Sequence, residues 1–316
     1  MNRSLNLPVT MTLDDRTSVY TEYALCLALY RLHYPCTLCG LQETFGRDYS
    51  TVSRVNNGFH QLLYDRYSGR CAVSNLDFYR NRLDFYNEAM RGAISNHHAN
   101  QQPGAVPAPI FNVCGIHDGT KHYICRPYSA PGGPNVQNAF YSGYAHAHIQ
   151  QWAGTCFPDG MIILDGPFPG HYVDITTWRE SGTRRSLSQL NDQRVLNGQR
   201  PLKLLGDKIY TASREMHAMY SNRGRPILRW QQHVNSLCSP FRVAVEWLFG
   251  LNMSRNRFLD LDTSIKLRES PISVYYINAV FLTNCRTCLD RTNICAEKFG
   301  VDPPTLREYL HQPPVA

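Results

Sequence analysis

Nothing in this chain is long and apolar enough to suggest a membrane span, since no run approaches the roughly 18 consecutive apolar residues a spanning helix needs. Met1 to Thr12 has no apolar core of the kind a signal peptide requires. Together these two absences predict a soluble, intracellular protein. Internal repeats are also missing, which excludes a solenoid or a propeller. A secreted disulfide scaffold fits poorly, because the eleven cysteines are an odd number scattered through 316 residues. Two Cys-x-x-Cys pairs exist, Cys36/Cys39 and Cys285/Cys288. Joined, they would have the donors of a zinc site; apart, they read as small buried apolar residues on helices. Charge of one sign is only mildly in excess, a formal +7. That favours a polyanionic partner only if the basic residues gather on one face.

What the chain does have is core-forming material, with 43% apolar residues, enough for one large domain or two ordinary ones. Leu25, Ala28, Leu29 and Leu32 recur at helical spacing, with Pro35 where the helix should stop. Leu38, Leu41 and Phe45 form a second short stripe closed by Gly46. A third helix opens near Asp48 or Ser50, with Val52, Val55, Phe59 and Leu62 on its inner face. This order matches a helix-turn-helix module, or an ordinary helical bundle with a polar surface. In the first case Thr51, Ser53, Arg54 and Asn57 are the residues placed to meet phosphates or base edges. The stretch from Asn96 to Pro109 has linker composition. The expected organisation is therefore a helical domain over 1–95, a linker over 96–109, an α/β domain over 110–290 and a tail over 291–316.

Beyond the linker the grammar becomes strand-like. Ile110 to Cys125 predicts one strand, Tyr144 to Gln150 a second and Met161 to Leu164 a third. A helix is expected from about Asp174 to Gly182, a short strand at Lys203 to Leu205, and a helix at Phe241 to Phe249. The order β-β-β-α-β-α is that of an RNase H-like domain, in which the first and fourth strands are neighbours and the late helix crosses them. Asp118 in the first strand, Asp207 just past the fourth and Glu246 on the helix would then converge. Three oxygen-donating acids suit a pair of Mg²⁺ or Mn²⁺ ions and phosphodiester cleavage. Asp165, Asp174, Asp260 and Asp262 compete for the same role.

Several ordered segments resemble the Harbinger-type DDE transposases and their domesticated relatives. They are His117-Asp118-Gly119-Thr120 with Ile124-Cys125-Arg126-Pro127, Tyr141-Ser142-Gly143-Tyr144, and Pro158-Asp159-Gly160. Next come Gly166-Pro167-Phe168-Pro169-Gly170-His171-Tyr172-Val173-Asp174 and Glu180-Ser181-Gly182. Leu205-Gly206-Asp207 and Arg242-Val243-Ala244-Val245-Glu246-Trp247-Leu248-Phe249-Gly250 complete the set. The resemblance implies a metal-dependent DNA endonuclease with catalytic acids Asp118, Asp207 and Glu246, and Asp174 as a further metal-binding acid. Asp174 reads equally well as a helix N-cap. The resemblance also implies a nuclear protein, although no basic targeting run stands out. An accessory Myb-like DNA-binding partner is implied as well; self-association stays open. Two departures stand out. Val173 precedes Asp174 where the family often has His, and Tyr144-Ala145-His146-Ala147-His148 replaces basic residues.

Two other readings compete. A domesticated, non-catalytic DNA-binding protein would keep the same fold. The segment Thr283 to Asn293 looks like the active-site loop of Sac-type phosphoinositide phosphatases, with Cys285 as nucleophile and Arg291 holding phosphate. That chemistry requires Val274 to Leu282 to be a strand leading into a phosphate cradle; the same residues also read as an apolar helix.

Overall fold

The structure, a computed structural model, describes residues 5–72, 76–101, 112–128, 136–222, 224–261, 265–267 and 270–311. The chain opens with an antiparallel hairpin of β1 (Thr10–Thr12) and β2 (Ser18–Tyr20). Three helices follow: α1 (Thr21–His33), α2 (Leu38–Phe45) and α3 (Tyr49–Tyr67). Their ends are written in the sequence. Thr37 caps α2, Gly46 closes it in the left-handed region at φ 65°, and the Asp48 carboxylate caps α3 by accepting from the Thr51 amide at 3.0 Å. Val52, Val55 and Phe59 are fully buried; Leu63, not Leu62, continues that stripe. After α4 (Leu76–Tyr79) comes α5 (Leu83–Gln101). The linker expected over 96–109 therefore begins inside a helix, and 102–109 lies outside the described residues.

A six-stranded mixed sheet forms the centre of the second half. Its strands are β3 (Val113–Tyr123), β4 (Tyr141–Ser142), β5 (Ala147–Cys156), β6 (Ile162–Phe168), β7 (Lys203–Gly206) and β8 (Met216–Ala218). The short helix α6 (Val136–Phe140) precedes β4. β5 runs antiparallel to β3, and both β4 and β6 pair antiparallel with its other edge. β7 lies parallel against β3, and β8 parallel against β7. The first long strand and the later β7 are thus neighbours, as expected. The second strand differs from expectation: it begins only at Ala147, because Gly143 to His146 make the turn out of β4. Its partner extends past Leu164 to Phe168.

The helix expected to stop at Gly182 is two helices, α7 (Asp174–Glu180) and α8 (Gly182–Leu196). Ser181 separates them, its hydroxyl accepting from the Arg184 amide at 3.1 Å as the cap of α8. Next, α9 (Arg229–Arg255) extends well beyond the expected Phe241 to Phe249 and holds Pro240 in its interior. Packing of Leu237, Cys238, Phe241, Ala244, Val245 and Leu248 into the core sustains helix on both sides of that proline.

α10 (Ile272–Asp290) is a buried helix, and α11 (Ile294–Phe299) and α12 (Leu306–His311) follow. The tail expected over 291–316 is therefore folded as far as His311. Asn293 accepts from the Cys295 and Ala296 amides and donates to the Gly160 carbonyl, while Tyr309 is fully buried. α10 also joins the two halves. Tyr67 stacks on Phe281 at 4.9 Å, and Asn278 donates to the His60 carbonyl at 2.7 Å. One hydrophobic core runs from Leu5 through the sheet to Leu310, so the N-terminal helices do not pack as an independent unit.

Candidate active site

Strand alternation decides which side chains can meet. Asp118 stands opposite Gly154 on β5. A Cβ at Gly154 would come within 2.5 Å of the Phe249 ring, so the bare glycine lets α9 lie against this face of the sheet. On β7, Leu205 pairs with Ile116. Two residues further on stand Asp118, still within β3, and Asp207, one residue past the end of β7 and near enough for its charge to act on Asp118. Glu246 reaches the same region from α9, which packs on β3 and β5. The three acids singled out by sequence thus converge on one face.

Arg242 is the residue the sequence reasoning missed. One turn before Glu246 on α9, its Nη2 lies 2.7 Å from Glu246 Oε1 and its Nη1 lies 3.3 Å from Asp118 Oδ2. The signal was available as the i, i+4 spacing in Arg242-Val243-Ala244-Val245-Glu246. Burial pushes the Asp118 carboxyl up to about 6; the Gly119 amide and Arg242 oppose that rise, and the charges of Asp174 and Asp207 reinforce it. Burial alone would lower the Arg242 pKa, but Glu246, Asp118 and Asp207 raise it beyond its ordinary value. Asp207 accepts from the Lys208 amide at 2.6 Å. Together with Arg242, Lys208, Tyr220, Asn235 and Ser239, it lines a cleft of about 630 Å³.

The donors here are all carboxylate oxygens, which suits a hard divalent cation. Mutual repulsion between Asp118 and Asp207 is also what such a cation would relieve. The acids do not form a ready cage, however. Among the described residues no three His, Cys, Asp or Glu side chains are drawn together closely enough to hold a metal. Arg242 bonds to two of the three acids instead.

Asp174 meets this cluster from the other side of β3. A Cβ at Gly119 would sit 2.0 Å from Asp174 Oδ1, which also accepts from Gln151 Nε2 at 2.9 Å. Gly119 points to the face opposite Asp118, the face that α7 covers; His117 lies there too, 4.7 Å from the Trp178 ring. Asp174 thus lies across β3 from Asp118, near enough for its charge to raise the Asp118 pKa. It is not the cap of α7, a position held by Val173 with no side-chain bond. Burial raises its pKa, Lys121 opposes the rise and Asp207 adds to it.

The competing acids have structural duties. Asp165 is buried and accepts from the Gly182 and Thr183 amides at the start of α8. Asp260 is exposed beyond the end of α9, and Asp262 lies outside the described residues. In the N-terminal helices, Arg54 pairs with Asp15 at 3.0 Å and Asn57 accepts from the Tyr275 hydroxyl, so both meet the rest of the fold. Thr51 and Ser53 are half-buried beside them.

The phosphatase reading is overturned. Val274 to Leu282 is helical, and Cys285 and Cys288 continue within α10, so no strand leads into a cradle loop. Cys285 is fully buried, and burial pushes its thiol well above the ordinary range, the reverse of an activated nucleophile. Arg291 caps the helix and donates to the Pro303 carbonyl. The Cys36/Cys39 pair lies at the start of α2, one cysteine half-buried and one exposed.

A family model described as DDE superfamily endonuclease matches residues 117–284, more than half of the chain and all three acids. No curated protein and no solved structure shows a significant match.

Proposed function

This chain belongs to the DDE superfamily endonucleases, and from that premise we propose that it is a metal-dependent DNA endonuclease of RNase H-like fold, a transposase of the Harbinger type. Asp118, Asp207 and Glu246 are its metal-holding acids. The observation that carries this reading is the arrival of all three, from a strand, a neighbouring strand end and a crossing helix, on one face beside an open cleft. A bound Mg²⁺ or Mn²⁺ supplies Lewis acidity toward water and the leaving 3′ oxygen.

The protein's own part is to hold those acids and to admit the substrate. β3 and β7 fix Asp118 and Asp207 through the parallel ladder, and the Gly154–Phe249 contact fixes the approach of α9. The cleft beside Asp207, lined by Lys208, Tyr220 and Asn235, gives a DNA backbone a route to them. Thr51, Ser53 and Arg54 on α3 remain proposed DNA contacts, with Arg54 having to exchange Asp15 for a phosphate; Asn57 is already engaged by α10. A Myb-like accessory protein, self-association and residence in the nucleus are further parts of the same reading.

The test is nicking of supercoiled and linear DNA in Mg²⁺ or Mn²⁺ by the full chain and by Asp207→Ala. The reading expects nicking from the unaltered protein alone. Equal nicking by both would end the assignment of Asp207, and DNA binding with no metal-dependent nicking would favour a domesticated binding protein.

A further inference from the structure

The acid face already holds a cation, and it is a side chain. Arg242 bonds to Glu246 and Asp118 at 2.7 and 3.3 Å, and Asp207 adds its charge to theirs in stabilising the guanidinium. Arg242 and Asp118 are each only 18% exposed, so that pair is better shielded than a surface pair, whereas Glu246 is half exposed. Both Asp118 oxygens are already engaged, Oδ1 accepting from the Gly119 amide at 2.9 Å and Oδ2 from Arg242.

We propose that Arg242 is the resident cation of the acid face, and that a divalent ion binds there only by displacing the guanidinium from Asp118 and Glu246. The proposal rests on the reading of these acids as metal-holding. Its chemistry is an exchange of positive charge. Without a cation, three carboxylates on one face repel each other and the fold is strained by their proximity. Arg242 relieves this in the metal-free state. A divalent ion does the same with twice the charge, and it competes with the guanidinium for Asp118 Oδ2 and Glu246 Oε1. The exchange requires no backbone movement, because Arg242 also lines the cleft beside Asp207 and its long side chain can turn into that space. Metal binding and the release of Arg242 into the cleft are then one event, and the metal affinity of the free protein is held below what the acids alone would give.

The experiment is a calorimetric titration of Mn²⁺ into the full chain without DNA, comparing the unaltered protein with Arg242→Gln, Arg242→Lys and Asp118→Asn. Removing the competing charge in Arg242→Gln is expected to tighten Mn²⁺ binding about tenfold, the equivalent of one ion pair of about 1.4 kcal/mol. Arg242→Lys keeps the charge but loses the planar fork, and is expected to tighten binding by about two- to threefold. A purely structural role for Arg242 predicts the opposite sign, since loosened acids bind metal more weakly. Unchanged or weaker binding in Arg242→Gln, with binding still lost in Asp118→Asn, overturns the proposal while leaving the metal-holding acids in place. If Asp118→Asn binds Mn²⁺ as well as the unaltered protein, the reading of the acids fails and this proposal fails with it. Should Arg242→Gln not fold, Arg242→Lys carries the test: no tightening at all overturns the exchange.

Discussion

The two faces of β3 handle negative charge in opposite ways. On the α7 face, Asp174 has the Gln151 amide at 2.9 Å and the charge of Lys121, and its neighbours His117, Thr155 and Trp178 form closed contacts. On the α9 face, Asp118 feels the charge of Asp207 and, across the strand, that of Asp174, and a single arginine links it to Glu246. One residue of sequence separates Asp118 from Gly119, yet they belong to different environments, because a strand sends successive side chains to opposite faces. A partnered acid reads as structure. Acids gathered beyond what their partners can neutralise read as a site awaiting a cation.

The sharpest way to break this contrast is to remove acids from the α9 face. Asp207→Asn or Glu246→Gln is expected to lower metal-dependent nicking by at least about 10³-fold, as loss of a group acting only in the reaction does. A DNA nicking time course checks it. Next in size is Gly154→Ala. Its new Cβ would lie within 2.5 Å of the Phe249 ring, so the ring must give way, and α9 with Glu246 and Arg242 moves to the extent that the ring cannot turn aside. A loss of about 2–3 kcal/mol in denaturant unfolding is expected, together with reduced nicking.

A third prediction concerns pH. The folded Asp118 carboxyl is pushed up to about 6, above its unfolded value of about 4. Its ionisation is therefore disfavoured by folding, and the associated stability is present below about pH 4 and lost as pH rises through about 6. Asp118→Asn should match the unaltered protein at pH 4 and exceed it in thermal stability at pH 7, by on the order of 2 kcal/mol. Thermal melts without metal at the two pH values test this. The smallest effect belongs to the other face. Lys121 lies 4.0 Å from the Tyr144 ring and lowers the Asp174 pKa; Lys121→Ala should cost less than about 1 kcal/mol and leave nicking close to that of the unaltered protein.

The parts of this molecule legible in the sequence were those set by short-range rules. Gly46 and Asp48 punctuate the first helices where their chemistry says they should. Asp118 and Asp207 could be paired across strands because β7 is short and ends at Gly206. Asp174 could not be placed, because its face depends on register and on how α7 crosses the sheet. Pro240 reads as a helix stop, and only tertiary packing shows that α9 continues through it. The segment after Asp290 looked like a tail because its anchors are distant: Asn293 bonds to Gly160, and Tyr309 packs against Phe281. The likeness of Thr283 to Asn293 to a phosphatase loop was a match of letters without the strand that such a loop needs. Arg242 carries no mark of its own in the sequence beyond its spacing from Glu246, because its role comes from the acids that the fold gathers around it.

The most direct test sets the two faces against each other in one assay: Mg²⁺-dependent nicking of DNA by Asp118→Asn and by Asp174→Asn, beside the unaltered protein. Loss of nicking in Asp118→Asn, with Asp174→Asn keeping it within about threefold, is the expected result for an acid that acts and one that packs. Nicking that survives Asp118→Asn, or that vanishes with Asp174→Asn in a protein that still folds, would contradict it.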